Sequence, residues 1–180
     1  MKFTTSITIL AGASGISAAA LTMEPKTLAE VVNSVTSAIS NLDTAARNFN
    51  GDIAPVIEAA DKVIATIHLG QTMADAIPSI DLMSAMPLLE PVKSLESHAK
   101  ALLDHVRSRV HDVEKAKRCE DTRSTLSVLN SSGRNLMDTI FNKIVDVLAR
   151  NLALPLMDDI KALLAQALDL FAKGHCVDAH

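Results

Sequence analysis

The sequence predicts an all-α protein, an up-and-down bundle of about five amphipathic helices. Three observations predict it. Apolar residues recur at alternating steps of three and four along five segments, the spacing of one buried helix face. Gly and Pro number only six each in 180 residues, too few for the many turns of a β-sandwich or barrel. Apolar residues make up 48 % of the chain and charged residues 21 %, so it can bury a core rather than stay disordered.

Residues 1–20 read as a secretory signal peptide. Lys2 is the only charge before Glu24, an apolar run spans Phe3 to Ile16, and Ser17-Ala18-Ala19-Ala20 supplies a small-residue cleavage site. The alternative, an amphipathic first helix, lacks a clean stripe because Ser, Thr and Gly interrupt it. Residues 21–180 then form a single helical-bundle domain with its core over roughly 26–174.

The first helix carries Leu28, Val31, Val32, Val35, Ile39, Leu42, Ala46 and Phe49 on one face. Thr27 and Glu30 have the spacing of a capping box, and Asn50-Gly51 stops the helix. The second carries Ile53, Val56, Ile57, Ala60, Ile64, Ile67, Ala74 and Ile77, with Pro55 in its first turn and Gly70 as an expected break or bend. The third begins near Asp81, enters through Pro87 and Pro91, and follows Leu95, Ala99, Leu102, Val106, Val110 and Val113 into a charged continuation ending at Arg118. The fourth carries Leu126, Leu129, Gly133, Leu136, Ile140, Ile144, Val147 and Leu148. The fifth opens at Pro155 and carries Leu156, Met157, Ile160, Leu163, Leu164, Ala167, Leu168 and Phe171. Connections near 50–53, 78–81, 117–121 and 150–155 are short, which predicts antiparallel neighbours.

Several function classes fall away. The formal charge of −4, from 17 bases and 21 acids, is unlike a basic nucleic-acid arm. Four Phe, with no Tyr or Trp, disfavour functions that stack bases or sugars on aromatic side chains. No segment after the signal has 18 consecutive apolar residues, so no transmembrane helix is expected. The polar end, Phe171 to His180, is unlike a glycolipid-anchor signal. An extracellular protein, released or held at the cell wall without a covalent lipid, is the expectation.

Catalytic and metal-binding patterns are not found. No Gly-x-Ser-x-Gly elbow follows a strand, and no glycine loop cradles a phosphate. The six His lack the convergent spacing of a tetrahedral site; His98 and His105 sit about 10 Å apart along one helix. Asp158-Asp159 reads as charge complementing a helix N-terminus. No catalytic residue, metal or cofactor is therefore assigned. Cys119 and Cys176, an even pair in a secreted chain, read as a disulfide, with two free thiols as the alternative. The expected fourth helix outruns the fifth by about 15 Å, which the tail after Gly174 would have to span. Asn130-Ser131-Ser132 is a glycosylation sequon in the fourth helix.

These features together resemble the fungal hydrophobic surface binding protein A family, which also covers cell wall galactomannoproteins. The resemblance lies in the first helix ending Phe49-Asn50-Gly51, in Pro87-Leu88-Leu89-Glu90-Pro91-Val92-Lys93-Ser94-Leu95 at the entry to the middle helix, and in Cys119 after that helix. The closing helix from Ala162 to Phe171 and the late Cys176 complete it. It implies a secreted or wall-associated helical protein that adsorbs to hydrophobic surfaces, recruits a lipolytic enzyme, or binds fatty acids between helices. A structural wall mannoprotein without a ligand, and an inhibitor or effector of a partner enzyme, stay open as alternatives. If an acyl chain lies in the bundle, stripe centres place Val35, Ile39, Ile64, Leu95, Leu102, Leu136, Ile140, Ile160 and Leu164 around it, with Arg150 or Lys161 as the base for its carboxylate; the plain alternative is that these residues simply fill a core.

Overall fold

The computed structural model describes residues 27–179, and the signal-peptide assignment to residues 1–20 lies outside them. Five long helices build the molecule: α1 (Leu28–Arg47), α2 (Ala54–Ala76), α4 (Leu89–Ser108), α6 (Cys119–Lys143) and α7 (Val147–Leu170). Two short helices join them, α3 (Leu82–Ala85), which runs through a 3-10 turn at Met86–Leu88 into α4, and α5 (Val110–Lys115). The all-α expectation holds; among the described residues there are two isolated β-bridges and no strand.

The Thr27–Glu30 capping box is present in both directions. Glu30 N–H donates to Thr27 Oγ1 at 3.2 Å, and Thr27 N–H donates to Glu30 Oε2 at 3.0 Å. Gly70 does not break α2. It is buried, and a Cβ there would lie 2.8 Å from Val31 Cγ1, so glycine serves close approach of α2 to α1.

Two boundaries differ from the expectation. The third helix does not run on to Arg118. It breaks at Arg109, resumes as α5 and ends with Lys117 at φ +56°, in the left-handed region. The fourth and fifth helices divide at 144–146 rather than 150–155. Asp146 is the N-cap of α7, its carboxylate accepting from Ala149 N–H at 3.0 Å, so Val147 and Leu148 belong to α7. Pro155 lies inside α7, on an exposed position where water can satisfy the carbonyl that loses its donor. The two helices are then 25 and 24 residues long, and the expected length gap disappears.

Packing forms a closed ring in the order α1–α2–α6–α7–α4 and back to α1. Chain direction alternates, as an up-and-down bundle requires, but sequence neighbours are not always spatial neighbours. α2 and α4 are not packed partners, and neither are α4 and α6. α1, α4 and α7 run one way, and α2 and α6 the other. At one end, Phe49, Val113, Cys119, Phe171 and Cys176 form a plug. At the other, Ala85, Ile144 and Ala149 pack together, and Ile80 bridges to the α6–α7 connection through Ile80 N–H to Lys143 O at 2.7 Å and Val145 N–H to Ile80 O at 3.0 Å.

Side-chain pairs pin the ring. His68 Nε2 meets Ser132 Oγ at 2.9 Å and Gln71 Nε2 donates to Thr139 Oγ1 at 2.8 Å, joining α2 to α6. His105 Nδ1 and Asp43 Oδ1 join α4 to α1 at 2.5 Å. Cys119 and Cys176 are bonded, with their Cα atoms 5.7 Å apart.

Candidate functional site

A ring of five helices cannot fill its own axis unless bulky side chains reach it. Here each long helix places one small residue in the lining of the enclosed space: Ala46, Ala60, Ala99, Gly133 and Ala167. The outcome is a chamber of about 140 Å³ bordered by all five long helices. Its walls are aliphatic, with Thr122 and Thr125 as the polar exceptions among the lining residues, and no aromatic ring reaches it. The scarcity of aromatic residues thus has a structural outlet: Phe49 and Phe171 plug one end, and Phe141 stands near the other.

Seven of the nine positions singled out in the sequence border this chamber: Val35, Ile39, Leu95, Leu102, Leu136, Ile160 and Leu164. The structure does not bring the other two to it. Ile140 lines a smaller space near the α3 end, and Ile64 packs against the outside of the main core. The sequence reading passed over the five small residues. They stand in the same apolar stripes, and nothing along any one stripe marks them as chamber positions.

The smaller space measures about 40 Å³ and lies among α3, the start of α4, the end of α6 and the start of α7. Arg150 and Lys161, the two bases considered for a carboxylate, differ sharply. Lys161 is engaged, with Nζ 2.5 Å from Asp138 Oδ1. Arg150 stacks its guanidinium 4.7 Å above the Phe141 ring, and its buried Nε has no hydrogen-bond partner. Asn130 is half-buried within α6, its carboxamide oxygen accepting from Arg134 Nε at 3.1 Å. His98 is exposed and bonded to Ser94 O, and among the described residues no group of three or more His, Cys, Asp or Glu converges.

A helical ring closed at one end by a disulfide plug, around an aliphatic chamber without catalytic groups on its walls, defines an apolar-interior bundle. The sequence matches the family described as hydrophobic surface binding protein A over residues 25–142, and the chain belongs to that family. Among curated proteins no relative matches the sequence significantly. Solved structures match the fold. Ligand binding domain 1 of the Penicillium marneffei MP1 protein, complexed with arachidonic acids, is 16 % identical with a TM-score of 0.76, covering 79 % of this chain and 95 % of that one. Ligand binding domain 2 of the same protein, complexed with multiple arachidonic acids, is 17 % identical at 0.76, covering 79 % and 92 %. AFMP4P in complex with palmitic acid is 16 % identical at 0.74, covering 81 % and 97 %.

Proposed function

We propose that this protein is a secreted, non-enzymatic binder of long-chain fatty acids or similar amphiphiles, held in the chamber inside its helical ring. One observation carries the reading: five helices each contribute a small residue to an aliphatic space that the chain leaves unfilled. A void of that size costs on the order of 3 kcal/mol of stability. Each methylene an acyl chain buries gains about 0.8 kcal/mol, enough over a long chain to offset the cost of ordering it. The fatty acids bound by proteins of the same fold support this choice of ligand. The Cys119–Cys176 bond fits an oxidising, extracytosolic compartment. Residence in the cell wall and recruitment of a lipolytic enzyme extend the same proposal.

Calorimetry of delipidated protein with palmitate tests it. Saturable binding is expected, and Ala99→Phe, which projects a ring into the chamber, should weaken it at least tenfold while far-UV helicity persists. If no fatty acid binds the wild-type protein, the internal site is refuted, and adsorption to an external hydrophobic surface becomes the better reading.

A further inference from the structure

The small space at the α3 end lies outside that reading, yet it adjoins the main chamber. Met137 borders both. It is buried between them, and an unbranched thioether side chain changes rotamer at little cost, so its movement is what would join the two spaces. Along α7 the combined lining runs from Ala149 to Ala167, about 27 Å at 1.5 Å per residue.

The two ends of this column differ. Phe49, Phe171 and the disulfide close one. At the other, six large apolar side chains stand exposed: Met83, Met86, Val145, Val147, Leu148 and Leu152. Met86 and Leu152 also line the small space, so they form its mouth. Beside it stands Arg150, stacked on Phe141, which is itself a wall residue. Among the described residues every other arginine is bonded to a carboxylate, carboxamide or carbonyl oxygen. Arg150 has no such partner, and its Nε is buried and unsatisfied. A partly desolvated guanidinium without an anion is costly, and its planar fork suits a carboxylate.

Resting on the fatty-acid reading above, we propose that the α3 end is the portal and headgroup subsite of the chamber. Arg150 receives the carboxylate of a single-chain amphiphile whose tail passes Met137 into the central space. The ligand class narrows accordingly: an anionic amphiphile is preferred to a neutral one of equal length.

Displacement of a fluorescent apolar probe by palmitate and by hexadecanol tests this in wild-type protein and in Arg150→Gln. Wild type should prefer palmitate about tenfold, in the range expected for a charged hydrogen bond. The variant should lose that preference, its affinity for palmitate falling far more than its affinity for hexadecanol. Equal affinity for acid and alcohol in wild type, or a preference that survives Arg150→Gln, overturns the subsite but leaves the fatty-acid reading intact. Binding of neither ligand by wild type overturns both. A second measurement needs no variant: palmitate with a nitroxide beside its carboxyl should broaden the methyl signals of Met83 and Met86. Broadening at Val106 instead places the headgroup at the plugged end and refutes the portal.

Discussion

Gly70 shows how one hydrogen atom sets a helix packing distance. In an exposed helix, Gly→Ala stabilises by roughly 1 kcal/mol through helix propensity. Here the added methyl would sit 2.8 Å from Cγ1 of Val31, a fully buried β-branched residue with little rotamer freedom. Overpacking of this kind costs about 1–3 kcal/mol, so it outweighs the propensity gain. Gly70→Ala should therefore lower the thermal midpoint measured by circular dichroism, and a higher midpoint would show that α1 and α2 are free to separate. At Gly133 the contact is milder, its would-be Cβ 3.0 Å from Leu164 Cδ1, the end of a flexible side chain beside the chamber. By sequence alone Gly70 reads as a break or bend, because isolated glycine has more than one use and the partner that selects close packing is 39 positions away in the chain.

Among the elements, α5 and the C-terminal tail are tied through one side chain. Glu114 Oε1 accepts from Val177 N–H at 3.1 Å, and Glu114 Oε2 meets His111 Nδ1 at 2.8 Å. Ala179 N–H adds a bond to the Glu114 carbonyl at 3.0 Å. The hydrogen bond from His111, and then the one from Val177, hold the Glu114 carboxyl below its usual range. A lowered folded-state value means the tie is fully formed above the unfolded-state value and is lost as pH falls through the folded one. Acidification through the carboxylate range should then lower the protection of the Val177 amide, relative to its intrinsic exchange rate, before global unfolding, and Glu114→Gln should weaken protection at neutral pH. A Val177 amide equally protected on both sides of that range would contradict the tie. The division of α6 from α7 was harder to read. Pro155 is the stronger helix-start signal in isolation, whereas Asp146 competes through a single cap bond. Packing of Ala149, Ala153 and Leu156 on the α3 end favours a helix begun eight residues earlier.

For the molecule as a whole, the disulfide closes a loop of 57 residues that contains α6 and α7. The chain-entropy model assigns such a loop about 4 kcal/mol. Replacing both cysteines by Ser should lower the thermal midpoint by roughly 10 °C for a chain of this size, read under non-reducing conditions. An unchanged midpoint would show that the Phe49–Phe171 plug holds that end without the bond. The same double variant should keep its association rate for palmitate if the ligand enters from the α3 end, since the plugged end then takes no part in entry.

Helical class, the stripes, the Thr27 cap and the availability of Cys119 and Cys176 for a bridge were all legible in the amino-acid order. Each depends on neighbours within a few turns, where the 3.6-residue period makes burial a local property. Ring order was not legible. Short connections allow α4 to lie next to α1 and α7 rather than α2 and α6, and only the mutual fit of five faces selects among such arrangements. The chamber was not legible either. Ala46, Ala60, Ala99, Gly133 and Ala167 look like ordinary core positions one helix at a time. Their small volumes leave a cavity only because the ring brings them to the wall of one space, and volume left empty is a sum over all five helices that no single stretch of sequence contains.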